Sequence, residues 1–93
     1  MRAKRTDANQ TEIVEGLRKH GYKVFITSMV GAGFPDIVCG AHGYNFFFEI
    51  KDGSKPPSHR KLTPPEREFH NTWQGQIAII TCLEDALDYL ERL

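Results

Sequence analysis

Two short acidic strings carry the chemistry of this chain: Pro35-Asp36, and Glu49-Ile50-Lys51 thirteen positions on. Between them runs Ile37 to Phe48, an apolar stretch broken by Gly40, His42, Gly43 and Asn45. A hairpin turn centred on His42-Gly43 pairs Asp36 with Glu49 when residues are counted outward. Strand side chains alternate, so Glu49 and Lys51 share one face while Phe46, Phe48 and Ile50 share the other. Two carboxylates and an ammonium then converge at the end of a sheet whose far face is apolar. Carboxylates that close need a cation between them or one raised pKa. Oxygen ligands of this kind suit Mg²⁺ or Mn²⁺, so the expected site is that of a metal-dependent phosphodiesterase.

The elements that would position these groups follow from periodicity and punctuation. Asp7 to His20 reads as a first helix with Ile13, Val14 and Leu17 as its apolar stripe, Gly21 as its stop, and capping-box spacing between Asp7 and Gln10. Tyr22 to Ser28 reads as a strand, and Met29 to Phe34, with Gly31 and Gly33, as the loop leading to Asp36. After the hairpin, Asp52 to Leu62 reads as an exposed loop. Thr63-Pro64-Pro65-Glu66 announces a helix with Thr as N-cap, Pro in the first turn and Glu at N3, placing Phe69 and Trp73 one turn apart. Gln76 to Thr81 reads as a short, mostly buried strand. Thr81 and Glu84 suggest a second capping box before a final helix with Leu83, Ala86, Leu87 and Leu90 inward. The predicted order is α-β-β-β-α-β-α, an α+β, three-layer arrangement around a mixed sheet.

The 93 residues, 40% hydrophobic and 26% charged, make one domain over 1–93 with a small core, so oligomerisation would add burial. No apolar run approaches the roughly 20 residues of a membrane span, and no signal-peptide pattern follows Met1, so a cytoplasmic, membrane-free protein is expected. Cys39 and Cys82 fit neither a zinc spacing nor a disulfide scaffold and are expected as buried, reduced thiols. Twelve basic and twelve acidic residues cancel, against the usual basic excess of a nucleic-acid binder. The basic residues nevertheless crowd the N-terminus (Arg2, Lys4, Arg5) and one loop (Lys55, His59, Arg60, Lys61). Lys55, Arg60 and Lys61 are candidates for tracking DNA phosphates, against the plainer reading of a solvated loop. His20, His42 and His70 have no sequence neighbours that suggest catalysis.

Pro35-Asp36 followed by Glu49-Ile50-Lys51, behind an N-terminal helix, resembles the PD-(D/E)XK nuclease superfamily, whose element order fits nearly the whole chain. The closer resemblance is to the small VRR-NUC and Holliday-junction-resolvase-like nucleases of phages and prophages. Gly33-Phe34-Pro35-Asp36 matches their G-x-P-D entry and Phe48-Glu49-Ile50-Lys51 their hydrophobic-E-hydrophobic-K strand. Leu62-Thr63-Pro64-Pro65-Glu66 stands where they carry L-S-x-x-Q, with Glu66 replacing Gln.

The resemblance implies a restriction-endonuclease-like core. It implies that Asp36, Glu49 and the Ile50 carbonyl hold one or two divalent ions, with Lys51 orienting or deprotonating the attacking water. Members often place an acid on the first helix. Here Gln10 stands closest to that position, with Asp7 and Glu12 nearby. Gln10 would ligate through its amide oxygen or orient water, and Glu12 would serve if the helix were rotated. The function so implied is a DNA endonuclease working as a homodimer on a Holliday junction, flap or fork, in a bacterial host cell and encoded by phage or prophage. The competing reading is a non-catalytic nucleic-acid- or protein-binding module on the same fold. RNA as substrate comes last, since no familiar RNA-binding aromatic motif is present.

Overall fold

Seven elements follow one another in the computed structural model, which describes residues 8–92: α1 (Gln10–Lys19), β1 (Lys23–Ile26), β2 (Ile37–Ala41), β3 (Tyr44–Ile50), α2 (Pro64–Thr72), β4 (Gln76–Ile80) and α3 (Leu83–Glu91). Asp7, Arg2, Lys4 and Arg5 lie outside the described residues. The strands form one mixed sheet in the order β1-β2-β3-β4, antiparallel across the first three and parallel between β3 and β4. The domain is thus α+β with the element order read from the sequence.

Strand alternation divides the sheet as expected. Phe46, Phe48 and Ile50 are fully buried with Ile13, Val14 and Leu17 of α1 and Ala86 and Leu90 of α3. Tyr89 of α3 meets Phe46 and Phe48 edge-on at 5.7 and 5.9 Å. On the opposite face Phe47 packs against Phe69 of α2 and Trp73 at its C-cap, with Phe34 edge-on to both Phe47 and Phe69. Helices therefore cover both faces. The hairpin turn lies at His42-Gly43, whose φ values of 54° and 81° are the paired left-handed angles of a two-residue loop.

The expectations about helix ends need correction. Residues 8 and 9 form a turn and Gln10 is the first residue of α1, so Gln10 is not the N3 partner of an Asp7 cap. Asn9 holds the N-cap position but uses its amide elsewhere, donating to the carbonyls of Lys51 (3.1 Å) and Thr81 (2.8 Å). The α2 capping box is present in full. At α3 the N-cap is Cys82, and Asp85, not Glu84, accepts from the Thr81 backbone N–H (2.9 Å) and hydroxyl (3.0 Å). The helix starts later than the Thr81–Glu84 spacing assumed, which carries the reaching acid one position along.

Two burial expectations also change. β4 is an end strand, so Gln76, Ile77 and Ala78 are half-buried and Ile79 is 49% exposed. Cys39 is buried but Cys82 is only half-buried, and both thiols are free. The first strand is shorter than read, because the chain leaves β1 into a 3₁₀ turn at Ser28–Val30.

Candidate active site

Asp36 is placed by its backbone before its side chain does anything. Its carbonyl accepts from Thr27 N–H (2.7 Å) and its own N–H donates to the Phe48 carbonyl (3.0 Å), which clamps it between the β1 exit and β3. The Thr27 hydroxyl adds a bond to the Pro35 carbonyl (2.8 Å). Upstream, Gly31, Ala32 and Gly33 all have positive φ, and this tight loop turns the chain into Phe34-Pro35-Asp36. Gly33 lies so close to Pro65 at the start of α2 that a Cβ there would strike the Pro65 carbonyl. The G-x-P-D string is a packing device as much as a chemical one.

One step outward from the Ile37–Phe48 pair, Asp36 comes level with Glu49. The ladder opens there. Ile50 N–H donates to Asp36 Oδ2 at 2.7 Å, beyond the end of β2, so the carboxylate takes the place of a backbone acceptor. Glu49 has no exposed surface and Asp36 only 3%. Lys51 Nζ lies 3.9 Å from Glu49 Oε2 and 2.8 Å from Glu66 Oε1. Asp36, Glu49 and Lys51 thus lie together at the open end of the hairpin.

Gln10 is also buried, and its Oε1 meets no hydrogen-bond donor among the described residues. Leaving a buried amide oxygen unpaired costs about 1–3 kcal/mol. The Asn9 amide pins the start of α1 against the Lys51 carbonyl, which brings Gln10 to the same end of β3. Glu12 instead is exposed, on a surface groove with Thr11, Glu15 and Lys19. Of the described first-helix candidates, Gln10 is turned inward and Glu12 outward.

The loop after Lys51 is exposed over most of its length, with Lys55 and Lys61 in solvent and Arg60 half-buried. It contains a 3₁₀ turn at Pro57–His59. Asp52 opens it by accepting from Ser54 N–H (3.0 Å) and Oγ (2.7 Å), and the Ser54 hydroxyl, followed by its N–H, holds the Asp52 carboxyl below the usual range.

Glu66 also belongs to this corner. Its Oε1 accepts from Thr63 N–H (2.9 Å) and from Lys51 Nζ (2.8 Å), so the cap of α2 and the anchor of Lys51 are one atom. Capping-box spacing exposed the first role; nothing in the sequence signals the second across fifteen residues.

The donor set tests whether a hard divalent ion suits this corner. Among the described residues no three His, Cys, Asp or Glu side chains converge as a metal cage. The oxygens at this corner are the carboxylates of Asp36 and Glu49 and the Ile50 carbonyl, with the buried Gln10 at the same end of β3. Mg²⁺ commonly takes one or two carboxylates and fills its remaining positions with water and substrate phosphate, so this set fits. No protein-family model, curated protein or solved structure matches the chain. Fold and site together define a mixed α+β domain with a buried Asp–Glu–Lys corner at the open end of a hairpin.

Proposed function

We propose that this protein is a Mg²⁺- or Mn²⁺-dependent DNA endonuclease of the PD-(D/E)XK kind, VRR-NUC-like, with a restriction-endonuclease-like core. Its substrate in this reading is branched DNA (a Holliday junction, flap or fork), cut by a homodimer. The observation that carries the reading is the complete burial of Glu49 beside a nearly buried Asp36 at a point where the strands part. Removing a carboxylate from water costs several kcal/mol, and two are held here beside the Lys51 ammonium. The divalent ion would polarise the phosphate and lower the pKa of a bound water. Asp36, Glu49, Gln10 Oε1 and the Ile50 carbonyl would hold it. Lys51, steadied by Glu66, would offset phosphate charge and orient the water.

The test is cleavage of labelled linear, flapped and four-way DNA with Mg²⁺, Mn²⁺ or EDTA, beside Asp36→Asn. Asn keeps an oxygen acceptor for Ile50 N–H while removing the charge, so the variant should fold. Metal-dependent cutting that Asp36→Asn abolishes supports the nuclease. Two observations favour the alternative of a non-catalytic binding module: Glu66 holds Lys51 at 2.8 Å, and Gln10 stands where an acid is usual. DNA bound equally by both proteins, with no cutting under any metal, would establish that alternative.

A further inference from the structure

A second feature of the fold lies away from the carboxylates, where α1 hands over to β1. From Gly16 to Pro35 the chain has no acidic residue, yet carries Arg18, Lys19 and Lys23. Arg18, Tyr22, Lys23, Val24 and Phe25 line a surface cavity of about 370 Å³. Phe25 is 62% exposed, with Lys23 Nζ 5.7 Å from its ring centroid. Met29 and Val30, in the turn that follows β1, are also exposed. A large aromatic left in water beside cations, on a chain of zero formal charge, is unexplained by packing.

The register ties this corner to the site. Phe25, Val38, Phe47 and Ile77 form one row across the sheet, and Glu49 stands two residues beyond Phe47 on the same face. Two strand spacings sideways and two residues along separate Phe25 from Glu49 by about 12 Å. The β1 exit is also what clamps Asp36, through Thr27.

The geometry points to Phe25, flanked by Lys23 and Arg18, as a stacking platform for an unpaired DNA strand entering the Asp36–Glu49 corner. This deepens the nuclease reading and rests on it: the substrate class becomes DNA with a single-stranded segment next to the cut. An exposed ring takes any base on its face, and flanking cations meet the phosphates on either side. In an intact duplex the bases are stacked on one another and offer Phe25 no free face. A second copy of the chain fits the patch worse. Arg18 Nη2 already occupies the Val24 carbonyl of this end strand at 2.9 Å. A two-fold axis through the patch would also set Lys23 and Arg18 against their own counterparts.

Fluorescence anisotropy with a short labelled oligo-dT strand in EDTA isolates binding from cleavage. Phe25→Ala should weaken Kd about tenfold, equivalent to about 1.4 kcal/mol, while Phe25→Trp retains affinity. Lys23→Gln should lower the slope of log Kd against log salt by about 0.7, the value for one single-strand phosphate contact. Wild-type affinity in Phe25→Ala overturns the platform. So does a Phe25→Ala protein that changes from dimer to monomer in sedimentation with its oligo-dT affinity intact, which would assign the face to a second copy. If wild type cuts no DNA with any metal but Phe25→Ala still costs tenfold in binding, the platform stands and the nuclease reading falls.

Discussion

Removing Glu66 should unfasten two parts of the molecule at once. The pair it forms with Lys51 is nearly buried, at 3% and 12% side-chain exposure and 2.8 Å. At an effective dielectric of 20, that separation corresponds to a gross attraction of about 6 kcal/mol. Desolvation of both ions consumes most of it, so the intact pair contributes little net stability. Breaking it is another matter. Glu66→Ala leaves the Lys51 ammonium in a site with little water and the Thr63 N–H without its acceptor, at a cost of about 3–5 kcal/mol. Glu66→Gln keeps an oxygen for both donors and loses only the charge, so about 1–3 kcal/mol is expected.

Urea unfolding of the two variants, repeated in a Lys51→Met background, separates the roles. Without the ammonium, the cost of Glu66→Ala should fall to about 1 kcal/mol, the value of the helix cap alone. A cost equal in both backgrounds within about 0.5 kcal/mol would refute the shared-anchor argument, because additive effects mean no coupling. Unchanged m-values would show that the native and unfolded states remain comparable across the set. If Lys51 serves the reaction, Glu66 is its positioning residue. Glu66→Gln should then alter kcat more than substrate affinity.

Gly33→Ala should cost roughly 2–4 kcal/mol in urea melts, since a Cβ meets the Pro65 backbone and φ is +83°; Gly43→Ala, with φ +81° but open space around it, should lose only about 1 kcal/mol. Asp85 is held below its ordinary pKa chiefly by the Thr81 backbone N–H, so its folded value lies below its unfolded one. Its stabilisation is therefore present above the unfolded pKa and lost as pH falls through the folded one. Asp85→Ala should cost about 1 kcal/mol at neutral pH, and the gap from wild type should narrow in acid melts. Burial raises the Cys39 thiol to about 11, two units above its ordinary 9.0. At pH 8 its thiolate population is about a hundredfold lower than an ordinary thiol's, and iodoacetamide followed by mass spectrometry should modify Cys39 only on unfolding.

Features governed by neighbours along the chain were legible in the sequence. The His42-Gly43 turn and the Thr63–Glu66 box are local chemistry, and each stands where the sequence placed it. The Phe46, Phe48 and Ile50 stripe followed from alternation alone. Features that depend on sheet order were not legible. β4 reads as buried until its place at the end of the sheet leaves Ile79 in water, and Phe25 reads as an ordinary strand residue until β1 proves to be the other end. Asp85 displaced Glu84 for a smaller reason: the helix began one residue later than its composition suggested.

Glu66 shows why a residue with a complete local explanation can still carry a distant one. Its N3 position accounts for its identity so well that no further role suggests itself. Yet the oxygen that accepts from Thr63 also accepts from Lys51. The loop at 52–62 therefore begins directly after one partner of Glu66 and ends at the other, closed at its base by a single carboxylate. A change at the α2 cap is transmitted to the ammonium beside Glu49 without any movement of the sheet. The helix start and the end of β3 are joined through one carboxylate oxygen, so the position of the ammonium beside Glu49 is set by the cap of α2.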